Sequence, residues 1–118
     1  MPPPADRRWR LLDEFGFHHA LDALPGVTLV LFGQPGCGAC RSWQRFLSEW
    51  SPARIDHLCQ VDVQQSMALA RAYDIFHLPA LIVFCDGRFH GFLHCPPTRQ
   101  AMATALDALL AAPPAEEP

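Results

Sequence analysis

The sequence predicts an α/β fold in which a central mixed β-sheet is covered by helices on both faces. Three observations carry that expectation. Short apolar runs alternate with stretches whose apolar residues recur at helical spacing. One of those runs, "VTLVLFG" at 27–33, is apolar throughout and bounded by turn residues, as a strand buried on both faces should be. Near the end, two apolar runs meet at Asp86-Gly87, a hairpin turn. The alternation implies parallel strands with helical crossovers, and the hairpin adds an antiparallel edge.

The elements follow in order. From Asp6 to Leu24 the residues Trp9, Leu12, Phe15 and the run from Phe17 suit a helix, broken near Gly16. Pro25-Gly26 is a turn signal. The strand at 27–33 leads into "GQPGCGACRSWQ", after which Trp43, Phe46, Leu47 and Trp50 fall at helical spacing. Ser51-Pro52 ends that helix. "RIDHLCQVDV", 54–63, reads as a second strand, and "SMALARAY", 66–73, as a short helix with Ser66 as its N-cap. The hairpin occupies 80–93. The final helix, 98–112, is capped by Thr98 and carries an apolar stripe of Met102, Ala105, Leu106, Leu109 and Leu110.

Composition narrows the function classes. The 118 residues make one domain, 1–118, with flexible ends expected at 1–5 and 113–118. All nine basic residues are Arg, and the formal net charge is −3. That balance supports neither nucleic-acid binding nor attraction to an anionic membrane. No apolar run reaches the length of a membrane span. Arg7, Arg8 and Arg10 are not followed by the apolar core of an export signal, so a cytoplasmic location is expected. Five cysteines is an odd number, which argues against a complete disulfide framework. In a reducing compartment a close cysteine pair points instead to redox or metal chemistry.

That pair is Cys37 and Cys40. By spacing alone it can be a redox couple, part of a metal site, or two inert thiols. Its place between a strand and a helix favours the first. Free N–H groups and the positive end of the helix dipole favour a thiolate at Cys37. Cys40, one turn on, would lie beneath it and attack a mixed disulfide formed there. Gly36 and Gly38 leave little bulk around Cys37. The six histidines include no His-x-x-His, and the one His-x-x-x-His, His90 and His94, falls at the predicted hairpin rather than on a helix that would bring both rings to one ion.

Here the chain resembles the thioredoxin family. "TLVLFGQPGCGACRSW" is similar to the family's strand followed by W-C-G-P-C. "VDVQQSMALARAYDIFHLPALIVFCDGRF" is closer still, with the L-A-x-x-Y helix and I-x-x-x-P-x-x-x-x-F-x-x-G. The likeness covers roughly residues 27–110 and implies a thioredoxin-like fold. It implies thiol–disulfide exchange on protein substrates through a Cys37/Cys40 cycle, with an external reductant such as a thioredoxin reductase. No cofactor is needed, since the sulfurs carry the electrons. It also implies a cis Leu78–Pro79 bond facing the pair, with the Leu78 backbone open to an extended substrate segment. The turn "HCPPT" would share that face, placing Cys95 where the family usually has glycine and making it a candidate third thiol. The neighbouring His94 and His77 would be candidates to tune that thiol.

The departures from the family define further expectations. Gly36 stands in place of the usual Trp, and Ala39 in place of the Pro between the cysteines. Leu31 replaces the buried Asp, and Gln60 the Lys that accompanies it. With no base beside Cys40, resolution through it should be slower than in an ordinary thioredoxin. Two other readings stay open: a module that holds clients on the Pro79 face without turnover, and a metal site in which Cys95 or His94 joins the pair. A glutaredoxin reading lacks both its C-P-Y-C type pair and its Gly-Gly signal. Cys59 is expected in the core and Cys85 at a strand end.

Overall fold

The structure, a computed structural model, describes residues 9–118. Strand β1 (Trp9–Leu12) is followed by α1 (Phe17–Asp22), β2 (Val27–Gly33), α2 (Gly38–Glu49), β3 (His57–Asp62) and α3 (Met67–Ala72). The hairpin β4 (Ala80–Cys85) and β5 (Arg88–Phe92) comes next, and α4 (Arg99–Ala111) closes the chain. The strands form one five-stranded sheet in the order β1-β3-β2-β4-β5. β3 pairs parallel with both β1 and β2, whereas β4 runs antiparallel to β2 and to β5. This is the mixed sheet that the alternation and the hairpin predict.

The continuous apolar run of β2 is explained by its central position. Successive side chains of a strand point to opposite faces. Leu29 and Leu31 therefore join Trp43 and Leu47 of α2 and Met102 and Leu106 of α4. Val30 and Phe32 join Phe17 and Leu21 of α1 and Leu69 of α3 on the other face. Each of these strand residues is fully buried. Asp86 and Gly87 both have positive φ, 52° and 82°, the backbone that a two-residue hairpin turn requires.

Two expectations are corrected. The helix expected over Asp6–Leu24 is not what forms. Its first residues, Asp6 to Arg8, lie outside the described residues, and Trp9–Leu12 is an edge strand in register with β3 from Trp9↔Leu58 to Leu12↔Val61. Pairing outweighs helical spacing here, because it sinks Trp9 into the core with its indole N–H donating to Ser48 Oγ at 2.8 Å. The chain then turns where Asp13 Oδ1 accepts from the N–H groups of Phe15 and Gly16, and only α1 is helical. Ser66 precedes α3, but its side chain makes no capping bond; its Oγ accepts from the Glu14 N–H at 3.2 Å, tying α3 to the loop after β1.

Residues 1–5, expected to be flexible, lie outside the described residues. Residues 113–118 run back across the sheet edge. Ala115 N–H donates to the His90 carbonyl at 2.8 Å, and Glu117 Oε2 accepts from the Tyr73 hydroxyl at 2.7 Å.

Candidate active site

Cys37 and Cys40 are joined by a disulfide, with Cα atoms 5.2 Å apart. Cys37 is the N-cap of α2, and its Sγ accepts from the Cys40 N–H at 3.1 Å. One of the helix's otherwise unpaired N–H groups thus points at that sulfur. Cys37 is half-buried and Cys40 fully buried. The loop before them is shaped by Gly36, whose φ of +84° is the left-handed region. No atom lies within 4 Å of where its Cβ would stand, so the backbone angle, not crowding, is what a side chain there would oppose.

The sheet register brings other expected residues to the same end. β2 ends at Gly33, opposite Asp62 of β3, and Phe32 pairs with Ala80 at the start of β4. Pro79 therefore stands beside the end of the strand that leads to Cys37. The Leu78–Pro79 peptide is cis. The Leu93 N–H donates to the Leu81 carbonyl, so His94 and Cys95 run alongside the approach to β4. His77, Pro79 and His94 line one cleft of about 280 Å³, together with Phe76 and Phe92. The His94 ring stacks on Phe92 with centroids 6.2 Å apart.

Cys95 behaves differently from its neighbour. It is half-buried and packs onto the core layer of α2 and α4, and burial pushes its thiol pKa up. A thiol held protonated is a weak nucleophile. Cys59 is fully buried, and burial pushes its thiol up to about 11. Cys85 is half-buried and likewise raised, by burial and by the Asp86 carboxylate. Among the described residues, no group of three or more His, Cys, Asp or Glu side chains is placed to hold a metal ion.

Two features of the site lie beyond what the motifs single out. Phe76 is 83% exposed and forms a wall shared by the Pro79 cleft and a second cleft of about 440 Å³, lined by Gln34, Val63, Met67 and Arg71. Beneath the site, Leu31 is in register with Gln60. Gln60 is 1% exposed, and its Oε1 accepts from Gln44 Nε2 of α2 at 2.6 Å. Only the helical spacing of Gln44 from Cys40 could have hinted at that pair.

A sulfur partly open to solvent, bonded to a buried one at a helix N-terminus, is an arrangement suited to exchange with an incoming thiol or disulfide. No helix among the described residues is long and apolar enough to cross a membrane. The thioredoxin family model matches residues 10–108. No curated protein sequence matches the chain. Among solved structures, mitochondrial thioredoxin 3 from Saccharomyces cerevisiae in its oxidized form superposes with a TM-score of 0.67 at 20% identity, covering 82% of this chain and 92% of that one. A point mutant of thioredoxin from Halobacterium salinarum gives 0.66 at 21% identity, covering 98% and 100%. The zinc-bound form of human ERp44 gives 0.65 at 20% identity, covering 83% of this chain and 31% of that one. At such identities the likeness to these structures is one of fold.

Proposed function

The chain belongs to the thioredoxin family, and from that membership we propose that it is a thiol–disulfide oxidoreductase acting on protein disulfides. The observation that carries this reading is the Cys37–Cys40 disulfide at the head of α2, with one sulfur partly open and the other buried. Reduced Cys37 attacks a client disulfide, forms a mixed disulfide and releases one client thiolate. Cys40 then attacks Cys37 Sγ, the Cys37–Cys40 bond forms, and the second client sulfur leaves. Two electrons pass from the dithiol to the client, and an external reductant such as a thioredoxin reductase restores the dithiol.

In this reading an extended client segment pairs strand-fashion with the Leu78 backbone, beside Pro79 and just before β4. In this reading Gly36 keeps the approach to Cys37 open, and His77 and His94, which line one cleft with Pro79, contact the client. Cys95 takes no part as a nucleophile in this reading. No bound cofactor is required, and one domain in the cytoplasm would suffice. The test is reduction of insulin-type interchain disulfides by the protein with a dithiol reductant. Turnover well above background, abolished in Cys37→Ser, is expected; Cys40→Ser should instead trap clients covalently. Wild type and Cys37→Ser behaving alike, with no covalent trapping, would end the reading.

A further inference from the structure

We infer that the buried Gln44–Gln60 pair is a positioning device for the resolving step, holding a water through which the Cys40 thiol passes its proton to solvent. The inference rests on the exchange reading above and concerns a proton that this reading leaves without a carrier. Before it can attack, Cys40 must lose its proton inside the core. Leu31 and Gln60, side by side on the neighbouring strands, cannot accept it, because neither is a base.

Three observations place the water. Gln60 Nε2 is buried and has no hydrogen-bond partner in the protein, while Oε1 is engaged by Gln44. A buried amide donor left unsatisfied is destabilising, so a partner is expected. Gln60 also lines a cavity of about 180 Å³ with Asp13, Asp62, Gln65 and Ser66. That is ample for a water, and its polar walls supply the further partners a buried water needs. Finally, Gln44 follows Cys40 by four residues on α2, so the two share a helix face with Cβ atoms about 5–6 Å apart. The chain of groups therefore runs from Cys40 past Gln44 to Gln60 and out through the cavity. The ionisable groups facing that cavity are Asp13, from the loop after β1, and Asp62, at the end of β3. Arg41 and Arg45 of α2 are exposed.

The step balances simply. The Cys40 thiol gives its proton to the water, and the water passes one on to solvent. The thiolate attacks Cys37 Sγ, the Cys37–Cys40 bond forms, the bond from Cys37 to the client breaks, and the client sulfur leaves with the electron pair and is protonated by solvent. The experiment loads Cys37 of the full chain with a chromogenic aryl thiol and follows its release by stopped flow from mildly acid to mildly alkaline pH. Gln60→Leu should slow release about tenfold at neutral pH, less than the roughly 10²–10⁴-fold a direct acid–base group contributes, because the amide only holds the water. The deficit should close as rising pH ionises the thiol directly. Gln44→Leu should show the same pH-dependent slowing, and Gln60→Glu should match or exceed wild type. Release by Gln60→Leu at the wild-type rate at every pH, or slowed by one constant factor throughout, would overturn the inference. Wild type releasing no faster than Cys40→Ser would instead end the exchange reading itself.

Discussion

At the residue scale, the three cysteines outside the pair show how placement decides thiol chemistry. Cys59 is the clearest. It lies on interior strand β3 among Val30, Phe32 and Val61, and burial holds its thiol protonated up to about pH 11, against an ordinary 9.0. Below pH 9 the thiol is protonated in folded and unfolded chains alike. Between 9 and 11 the unfolded chain ionises while the folded one does not, so stability falls as pH rises through that window. Two units correspond to about 2–3 kcal/mol. Cys59→Ala should lose stability at neutral pH through its cavity, yet its stability should fall less steeply between pH 9 and 11 than that of wild type. Denaturant unfolding across that range measures the difference. Parallel curves for the two proteins would contradict the burial argument.

At the element scale, the helix starts separate what a sequence reveals from what it hides. Thr98 caps α4 as its residue type predicts, with Oγ1 accepting from the Ala101 N–H at 3.2 Å. Thr98→Ala should lower stability by about 1 kcal/mol, and Thr98→Ser should retain most of it, both read from denaturation midpoints. Equal midpoints for the Ala and Ser variants would remove the cap from the account. Ser66 looks the same in sequence, but its hydroxyl serves a loop 52 residues away, a partner that no local pattern specifies. Strand β1 was hidden for a related reason. Only four residues long, with Trp9 inward and Arg10 and Leu11 exposed, it has too little alternation to compete with the helical spacing around it. It becomes a strand only because the edge of β3 is there to pair with. β2 and the hairpin were legible because their signals are local: an unbroken apolar run, and a turn that needs Asp-Gly. The same division holds in the site. The cysteine pair and Pro79 announce themselves by type and spacing, whereas Gln44 meets Gln60 only through the packing of α2 on the sheet.

At the scale of the whole molecule, the exposed edge of β5 is closed by the chain's own last residues. α4 ends on one face of the sheet, and the tail crosses the edge to reach the other. Gly91 makes that passage close-fitting, since a Cβ there would come within 2.8 Å of Leu109 Cδ1 and 4.0 Å of Ala115 Cβ. Ala115 bonds to the His90 carbonyl, and an edge strand whose polar groups are covered is a poorer template for pairing with another chain. The strap ends where Glu117 accepts from the Tyr73 hydroxyl, on the face opposite α4. Tyr73 is 2% exposed and is the only tyrosine in the chain, so its ionisation reports on this contact alone. Burial is the largest single cause that raises its pKa. The Glu117 carboxylate adds to it, both by bonding the neutral phenol and by opposing the phenolate. Glu117→Gln removes the opposing charge and leaves the burial. Tyrosinate absorbance in a pH titration should therefore appear at lower pH than in wild type, yet still above the ordinary tyrosine range. An unchanged titration would mean that the tail does not hold Glu117 against Tyr73 in solution. A fall all the way to the ordinary value would mean that the tail, more than the core, keeps solvent from the ring.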